Sequence, residues 1–220
     1  MRYFLGCLFS LCAVNLLAQE KNNKTKYLQF ESIYFAGVQF NGASNINRIL
    51  KDQNAGKVPV FGWNAGAGLA YRIKQTLIGA NFSLTTSSKS DNAMNTGDFT
   101  VYVATNVIRT GKLIFSPQLG IGTQSATFTV QKKDLGGTFE SFLTTQSNET
   151  KIEYNAAIVD LSMTLKTVNS ERNIFRPECR VGYKSSITKN EWKVVNATVA
   201  NVPRDRLGSF YVQLAWGIGR

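Results

Sequence analysis

Residues 210–218 read Phe-Tyr-Val-Gln-Leu-Ala-Trp-Gly-Ile, so large apolar side chains alternate with small, polar or amphipathic ones. The same alternation runs through residues 61–73, where Phe, Trp, Ala, Leu, Tyr and Ile occupy one face and Gly, Asn and Arg occupy most of the other. A period of two predicts β-strands with two different faces. No stretch after residue 26 reads as a convincing helix. Six further segments show the same alternation and bring the expected number of strands to eight: residues 27–40, 76–87, 98–109, 112–130, 151–167 and 173–187.

The connections between these segments alternate between short and long. Short ones are expected at residues 74–75, 109–112 and 169–172, and long polar ones at residues 41–58, 88–97, 131–150 and 188–207. With antiparallel strands, all short turns then lie at one end of the sheet and all long loops at the other, which is the plan of bacterial outer-membrane barrels. Because backbone in hydrocarbon must be fully paired, the sheet is expected to close on itself.

The predicted fold class is therefore all-β, an eight-stranded antiparallel up-and-down transmembrane β-barrel. Faces rich in Phe, Val, Leu and Trp would meet lipid, and small or polar residues would fill the narrow interior. Both termini are expected in the periplasm, at the end with the short turns. The alternative is a soluble, lipocalin-like cup with an apolar interior, which explains the loop asymmetry and the strand lengths less well.

The composition and the first residues agree with this interpretation. The chain has 220 residues, of which 18% are charged and 43% hydrophobic. Arg2, an apolar run over residues 3–17 and a polar chain after Ala18 form the pattern of a secretory signal peptide. We therefore expect a signal peptide at residues 1–18 and one barrel domain at residues 19–220, with a retained anchor helix as the alternative for the first segment.

Two segments resemble a known group of proteins. Residues 35–45 read Phe-Ala-Gly-Val-Gln-Phe-Asn-Gly-Ala-Ser-Asn, and residues 210–220 end the chain in Trp-Gly-Ile-Gly-Arg. Both look like parts of the small outer-membrane β-barrel domains of Gram-negative bacteria, of the PorT-like and OmpX-like kind. The resemblance implies a place in the outer membrane. The resemblance to PorT-like barrels implies, as a second hypothesis, that the protein is an accessory component of a protein secretion system.

Charged residues fall on strand faces that are expected to point inward. In a narrow lumen, charges of both signs can pair and fill the barrel. The other interpretation of the same set is a gated ion path or a catalytic group. The candidate lumen residues are Glu31, Arg72, Asp160, Lys166, Arg176, Glu178 and Arg180.

The chain contains no histidine. This excludes the histidine-dependent mechanism of the barrel enzymes that act on lipid A, and leaves a histidine-free lipid-modifying enzyme as a less favoured alternative. Loop carboxylates such as Asp91 and Asp98 are the only candidates for weak binding of a hard cation. We expect no enzyme activity, no cofactor and no dedicated metal site.

The formal net charge is +11, a value that often indicates nucleic-acid binding. A secreted membrane barrel would instead present these cations to the lipid phosphates of the outer leaflet. The expected partners are outer-membrane lipid and lipopolysaccharide, together with a surface or secretion protein, and no nucleic acid; a solvated loop surface without a specific partner is the alternative. The expected function is non-enzymatic, in adhesion, surface integrity or interaction through the external loops. The candidate lipopolysaccharide contacts are Arg48, Lys51, Lys57, Lys132, Lys133, Lys189, Lys193, Arg204 and Arg206, with Lys89, Lys151 and Lys184 in or near the same loops.

Overall fold

A computed structural model of the chain describes residues 29–52, 57–89, 92–131, 149–167, 175–195 and 203–219. The predicted signal peptide over residues 1–18 lies outside these ranges. Within them, no helix is both long and apolar enough to cross a lipid bilayer.

The described residues form one helix and twelve strands. The helix is α1 (Ser44–Asp52). In chain order the strands are β1 (Gln29–Gly42), β2 (Phe61–Ile73), β3 (Thr76–Lys89), β4 (Asn92–Thr105), β5 (Ile108–Thr110), β6 (Leu113–Gln131), β7 (Glu149–Thr167), β8 (Phe175–Ser186), β9 (Asn190–Glu191), β10 (Lys193–Val194), β11 (Arg204–Asp205) and β12 (Gly208–Gly219).

Eight of these strands make a closed antiparallel barrel. Its order is β1, β2, β3, β4, β6, β7, β8 and β12, and the pairing of β12 with β1 closes the ring. The predicted fold class is confirmed. The remaining strands are two or three residues long and decorate the ends of the barrel.

The strands are staggered around the ring. Following register partners from Gly42 through β12, β8, β7, β6, β4, β3 and β2 leads back to β1 at Ser32, ten residues lower (42 − 32). With about 3.3 Å per residue and about 4.8 Å between strands, this stagger tilts the strands by roughly 40° from the barrel axis. Such a tilt is typical of transmembrane barrels.

Side chains alternate between lipid-facing and inward positions along every barrel strand. The outward face is apolar: Trp63 is 70% exposed and Leu214 is 58% exposed. Their inward neighbours Asn64 and Gln213 are buried. This is the reverse of a soluble barrel, because the surrounding solvent is hydrocarbon.

The two ends of the barrel differ in construction. At the end that we call the turn end, β1 begins, β12 ends, and tight turns at Lys74-Gln75 and Gly111-Lys112 join neighbouring strands. Gly111 has a φ of 56°, a left-handed conformation that glycine adopts without steric cost. The opposite end, which carries α1 and the strands β9, β10 and β11, is called the cap end.

One predicted long loop is wrong. Residues 88–97 were expected to form a polar connection, but β3 continues to Lys89 and β4 begins at Asn92, so the two strands meet in a tight hairpin. Polar residues such as Asn95 and Thr96 suggested a loop. They instead continue the strand pairing, with Thr96 opposite Thr85.

The expectation that no helix is present is also wrong. In α1, Ile46 and Leu50 are one helical turn apart and are both buried. The helix has nine residues, too few to be stable alone in water, so its stability depends on the contacts of its buried face.

Candidate functional site

Among the described residues, two ion pairs that are buried or partly buried lie in the lumen near the turn end. Arg72 of β2 reaches Glu31 of β1, with 2.7 Å between Nη2 and Oε1. Lys166 of β7 lies opposite Glu178 of β8, with 3.0 Å between Nζ and Oε1. Each pair therefore joins two neighbouring strands from the inside of the barrel.

A third ion pair crosses the lumen nearer the cap end. Lys184 of β8 contacts Asp98 of β4 at 2.8 Å, and β6 and β7 separate these two strands in the ring. Gln124 donates to Asp98 Oδ1 at 2.8 Å, and Ser83 donates to its Oδ2 at 3.1 Å. We call this group of four side chains the cross-lumen strut, because it ties β8 to β3, β4 and β6.

The strut corrects two expectations. Lys184 was expected in or near the external loops, but its side chain is buried in the lumen. Asp98 was expected in a loop and as a candidate cation ligand, but it is a buried partner of Lys184. Among the described residues, no group of three or more His, Cys, Asp or Glu side chains could hold a metal ion; Asp91 lies outside them.

The remaining candidate lumen residues also have neighbours inside the barrel. The Arg180 guanidinium lies 5.6 Å from the ring centre of Phe35 and 5.9 Å from that of Tyr102, within cation–π range. The Tyr211 hydroxyl donates to Asp160 at 2.8 Å. The side chain of Arg176 lies outside the described part of the chain.

Neutral polar side chains continue this filling along the β12, β2, β3 and β1 side. Gln213 donates to Asn64, and Asn64 donates to Thr85 at 2.8 Å. Thr85 in turn donates to Gln39 at 3.2 Å, and Gln39 donates to Asn41 at 2.8 Å. These side chains are buried, and the chain of hydrogen bonds gives each of them at least one polar partner.

Among the described residues, a small cavity lies in the middle of the lumen. The cavity bounded by Phe35, Asp160, Arg180 and Lys184 has a volume of about 10 Å³, room for about one water molecule. Among the candidate lumen residues that the structure describes, four form two ion pairs, and Asp160 and Arg180 contact aromatic residues inside the barrel. This arrangement fills and braces the barrel.

An apolar cluster closes the cap end, and we call it the cap core. Trp192 is a central member, with 0% of its surface exposed, and packs against Tyr154 with 5.0 Å between ring centres and 43° between ring planes. Helix α1 covers it from one side through Ile46 and Leu50. The other members come from the ends of β4, β6 and β7 and from adjoining segments: Ala43, Val58, Met94, Ala126, Phe128, Val130, Ala156 and Leu207.

Asp205 holds the cap core to the helix. Its carboxylate accepts from the backbone N–H groups of Asn45 at 3.1 Å and Ile46 at 2.8 Å, at the start of α1. The same carboxylate lies 3.4 Å from the indole nitrogen of Trp192. A carboxylate at this position satisfies free N–H groups and complements the positive end of the helix dipole.

The candidate loop cations that the structure describes all have exposed side chains at the cap end. Arg48 and Lys51 lie on α1, and Lys57 follows it. In the last long connection the set comprises Lys189, Lys193, Arg204 and Arg206. Lys132 and Lys133 lie outside the described residues.

Comparisons with known proteins agree with the architecture. A major outer membrane protein from Thermus thermophilus is 8% identical, with a TM-score of 0.52 over 87% of this chain and 99% of that one. The chain has the fold of an outer-membrane barrel. OprG from Pseudomonas aeruginosa (10% identity, TM-score 0.47, 89% of this chain and 97% of that one) and Neisserial surface protein A (12%, 0.45, 85% and 95%) are also similar. No protein-family model matches the chain, and no curated protein does.

The sequence pattern alone did not reveal the cross-lumen strut or the cap core. Both are made by residues far apart in the chain: Lys184 and Asp98 are 86 positions apart, and Asp205 and Asn45 are 160 apart. One signal was available for the cap core, because Trp192 is a large aromatic residue in a polar segment. Such a residue in a loop needs apolar neighbours.

Proposed function

We propose that the protein resides in the outer membrane with its cap end outside, and that it acts without catalysis through the exposed surface of that cap. The observation that carries this proposal is the cap core above a filled lumen. Within the described part of the chain, the cavity in the lumen has a volume of only about 10 Å³, and a loop assembly with its own apolar core is suited to presenting a defined surface. Both termini would then lie in the periplasm.

The charges of the cap support an anionic partner. Arg48, Lys51 and Lys57 project from one segment of the cap, and Arg206 projects from another. Lysine and arginine near an anionic membrane surface contribute about 1 kcal/mol each to attraction. We therefore propose the phosphates of lipopolysaccharide as the surface that these residues contact, in a role in surface integrity or adhesion.

The other two hypotheses receive less support. The chain has no histidine for a catalytic role, and the buried charges that the structure describes have polar partners or lie within cation–π range of aromatic rings. The comparisons do not support a PorT-like role in secretion. The surface role remains the proposal that the geometry of the cap favours.

The first experiment tests orientation and conductance. An epitope inserted within residues 53–56 should be detected on intact cells, whereas an epitope after Arg220 should be detected only after permeabilisation. Purified barrel in a planar bilayer should show no conductance above background. Detection of the C-terminal epitope on intact cells, or stable conducting events, would contradict the proposal.

The second experiment tests the anionic partner with matched variants. Barrel in nanodiscs is mixed with vesicles that contain lipid A, and association is measured at increasing salt. Arg48→Gln/Lys57→Gln should weaken association by about 10-fold to 30-fold, from about 1 kcal/mol for each charge. The control Lys74→Gln/Lys112→Gln removes two cations at the turn end and should leave association unchanged. Equal effects of both variants would count against a specific role of the cap.

A further inference from the structure

Two recesses meet on the outer surface of the barrel near the cap end. The first, which we call the wall groove, has a volume of about 600 Å³ and is bordered by Phe82 and Phe99. The second, which we call the basic cleft, has a volume of about 330 Å³ and contains Lys189, Lys193 and Arg204. Asn155 and Asn190 line both, so the recesses adjoin at these two residues.

Small side chains on neighbouring strands create the wall groove. In one row of register partners, Phe99 of β4 lies beside Thr123 of β6, which lies beside Ala157 of β7. In the next row toward the cap end, Gly97 lies beside Ser125. The small residues therefore form the bottom of the wall groove. The rings of Phe82 and Phe99 border it on one side, and the segment around Asn190 borders it on the other.

The wall groove opens toward the membrane. Phe82 and Phe99 are register partners on the outward face, with 51% and 49% of their surfaces exposed. Farther from the cap end, the outward residues of β4 are Val101 and Val103, both exposed and apolar. The groove thus lies at the edge of the lipid-facing belt, where a lipid chain passes into the headgroup region.

The basic cleft has a net positive charge. It contains Lys189, Lys193 and Arg204, and also the carboxylates of Glu153 and Glu191. Arg204 is paired with Glu191 at 2.6 Å. Within the described part of the chain, Lys189 and Lys193 have no ion-pair partner within 4.0 Å, so two ammonium groups face one remaining carboxylate.

We propose that the wall groove and the basic cleft together bind one phosphorylated lipid of the leaflet at the cap end. An acyl chain would lie against Phe82 and Phe99, and the phosphate would contact Lys189 and Lys193. This inference rests on the proposed function for the orientation of the barrel, and it names a site for one lipid molecule where that function requires only an attractive surface.

The two-part chemistry favours a lipid over a soluble anion or a peptide. A soluble anion uses the basic cleft alone and leaves the groove between the phenylalanine rings unused. An anionic amphiphile satisfies both recesses, because its charge and its chain are joined in the same order as the cleft and the groove. The membrane supplies such molecules at high local concentration.

Gly97 allows the groove to be blocked with little damage to the fold. A Cβ atom placed on Gly97 would have Leu84 Cδ2 as its nearest described neighbour at 3.6 Å, an ordinary van der Waals contact. Gly97→Phe should therefore fill the groove from the outward face. Ala36→Phe adds the same ring to the exposed outward face of β1, across the barrel, and serves as the matched control.

The test measures binding of one lipid to detergent-purified barrel by native mass spectrometry, with diphosphoryl lipid A as probe and phosphatidylcholine and inorganic phosphate as comparisons. Gly97→Phe should lower the affinity for lipid A about tenfold or more, because the added ring occupies the wall groove. Lys189→Gln/Lys193→Gln should lower this affinity about tenfold or more, because each cation contributes about 1 kcal/mol. Ala36→Phe should leave it unchanged, and inorganic phosphate should not compete. Heat-modifiable mobility confirms folding of each variant, and Ser125→Phe replaces Gly97→Phe if that variant does not fold.

The results separate the site from the proposed function. Equal affinities of the Gly97→Phe and Ala36→Phe variants would overturn the lipid site, and loss of binding in the lysine variant alone would reduce it to an anion cleft. If Arg48→Gln/Lys57→Gln weakens vesicle association while Gly97→Phe changes nothing, the proposed function stands and this inference fails. If one lipid binds in a Gly97-dependent way although vesicle association is absent, this inference stands and the proposed function fails.

Discussion

The lumen and the cap core are enclosed by the same strands but are packed in opposite ways. The lumen joins Lys184 to Asp98 and Arg72 to Glu31, whereas the cap core packs Trp192 against Tyr154. Within the membrane, the apolar side chains of the barrel strands face the lipid. The polar side chains therefore face the lumen, where they pair with one another. Above the belt, loops cover the barrel, and an apolar core like that of a small soluble protein becomes possible.

The cross-lumen strut should show the largest effect on stability. Asp98→Ala leaves the Lys184 ammonium without its carboxylate in a buried site, which costs about 3–5 kcal/mol in comparable cases. The free energy of unfolding, measured by denaturant titration of barrel in lipid vesicles, should fall by that amount. Asp98→Ala/Lys184→Met should recover most of the loss, because no charge is then left unpaired. A single variant as stable as the parent would show that the lumen tolerates a lone charge.

Removal of the central ring should separate the cap core from the barrel. Trp192→Ala leaves a cavity among fully buried side chains and should destabilise the cap by about 3 kcal/mol. Because the barrel strands keep their own pairing, heat-modifiable mobility should persist. Trypsin cleavage at Arg204 and Arg206 should become about 100-fold faster, as about 3 kcal/mol implies.

The control for Trp192→Ala is a substitution of Trp63, a tryptophan on the lipid-facing surface of the barrel. Trp63 faces lipid on β2 and has no part in the cap core, so Trp63→Ala should leave cleavage at Arg204 and Arg206 at the parental rate. If Trp192→Ala also abolishes heat-modifiable mobility, the cap core and the barrel form one cooperative unit.

The sequence predicted the barrel much better than its cap. Strand β2 (Phe61–Ile73) repeats one pattern over thirteen residues, with an exposed apolar side chain at every second position. Helix α1 has only Ile46 and Leu50 as a recognisable pair, and its first turn is completed by Asp205, some 160 positions away. Period-two patterns are local and can be read along the chain, whereas caps and struts depend on tertiary contacts.

The same limit explains the loop that was predicted wrongly at residues 88–97. Outside the hydrocarbon, a strand no longer needs apolar outward residues, so its polar sequence looks like a loop. Ser83 and Asp98 are register partners inside this hairpin and both belong to the strut. The inward residues of this hairpin therefore belong to paired strands, although its polar outward residues resemble those of a loop.

The helix cap should have an intermediate effect. Asp205→Ala removes the acceptor for the N–H groups of Asn45 and Ile46, and the loss of an N-terminal cap typically costs about 1–2 kcal/mol. Amide hydrogen exchange within α1 should become about 5-fold to 30-fold faster, while the barrel strands keep their protection. Asp205→Asn keeps one oxygen acceptor and should recover part of the protection. Unchanged exchange in the Ala variant would mean that packing of Ile46 and Leu50 alone holds the helix.

The smallest effect is expected for the ion pair on the cap surface. Arg204 and Glu191 lie 2.6 Å apart but are 68% and 47% exposed, so solvent screens their attraction and the pair contributes about 0.2–1 kcal/mol. A double-mutant cycle with Arg204→Gln and Glu191→Gln, measured as protection of the cap against trypsin at Lys189 and Lys193, should give a coupling within that range. The coupling should fall further at 1 M salt, where the Debye length is about 3 Å. A coupling as large as that of Asp98 with Lys184 would mean that burial does not decide how strongly these ion pairs hold the structure.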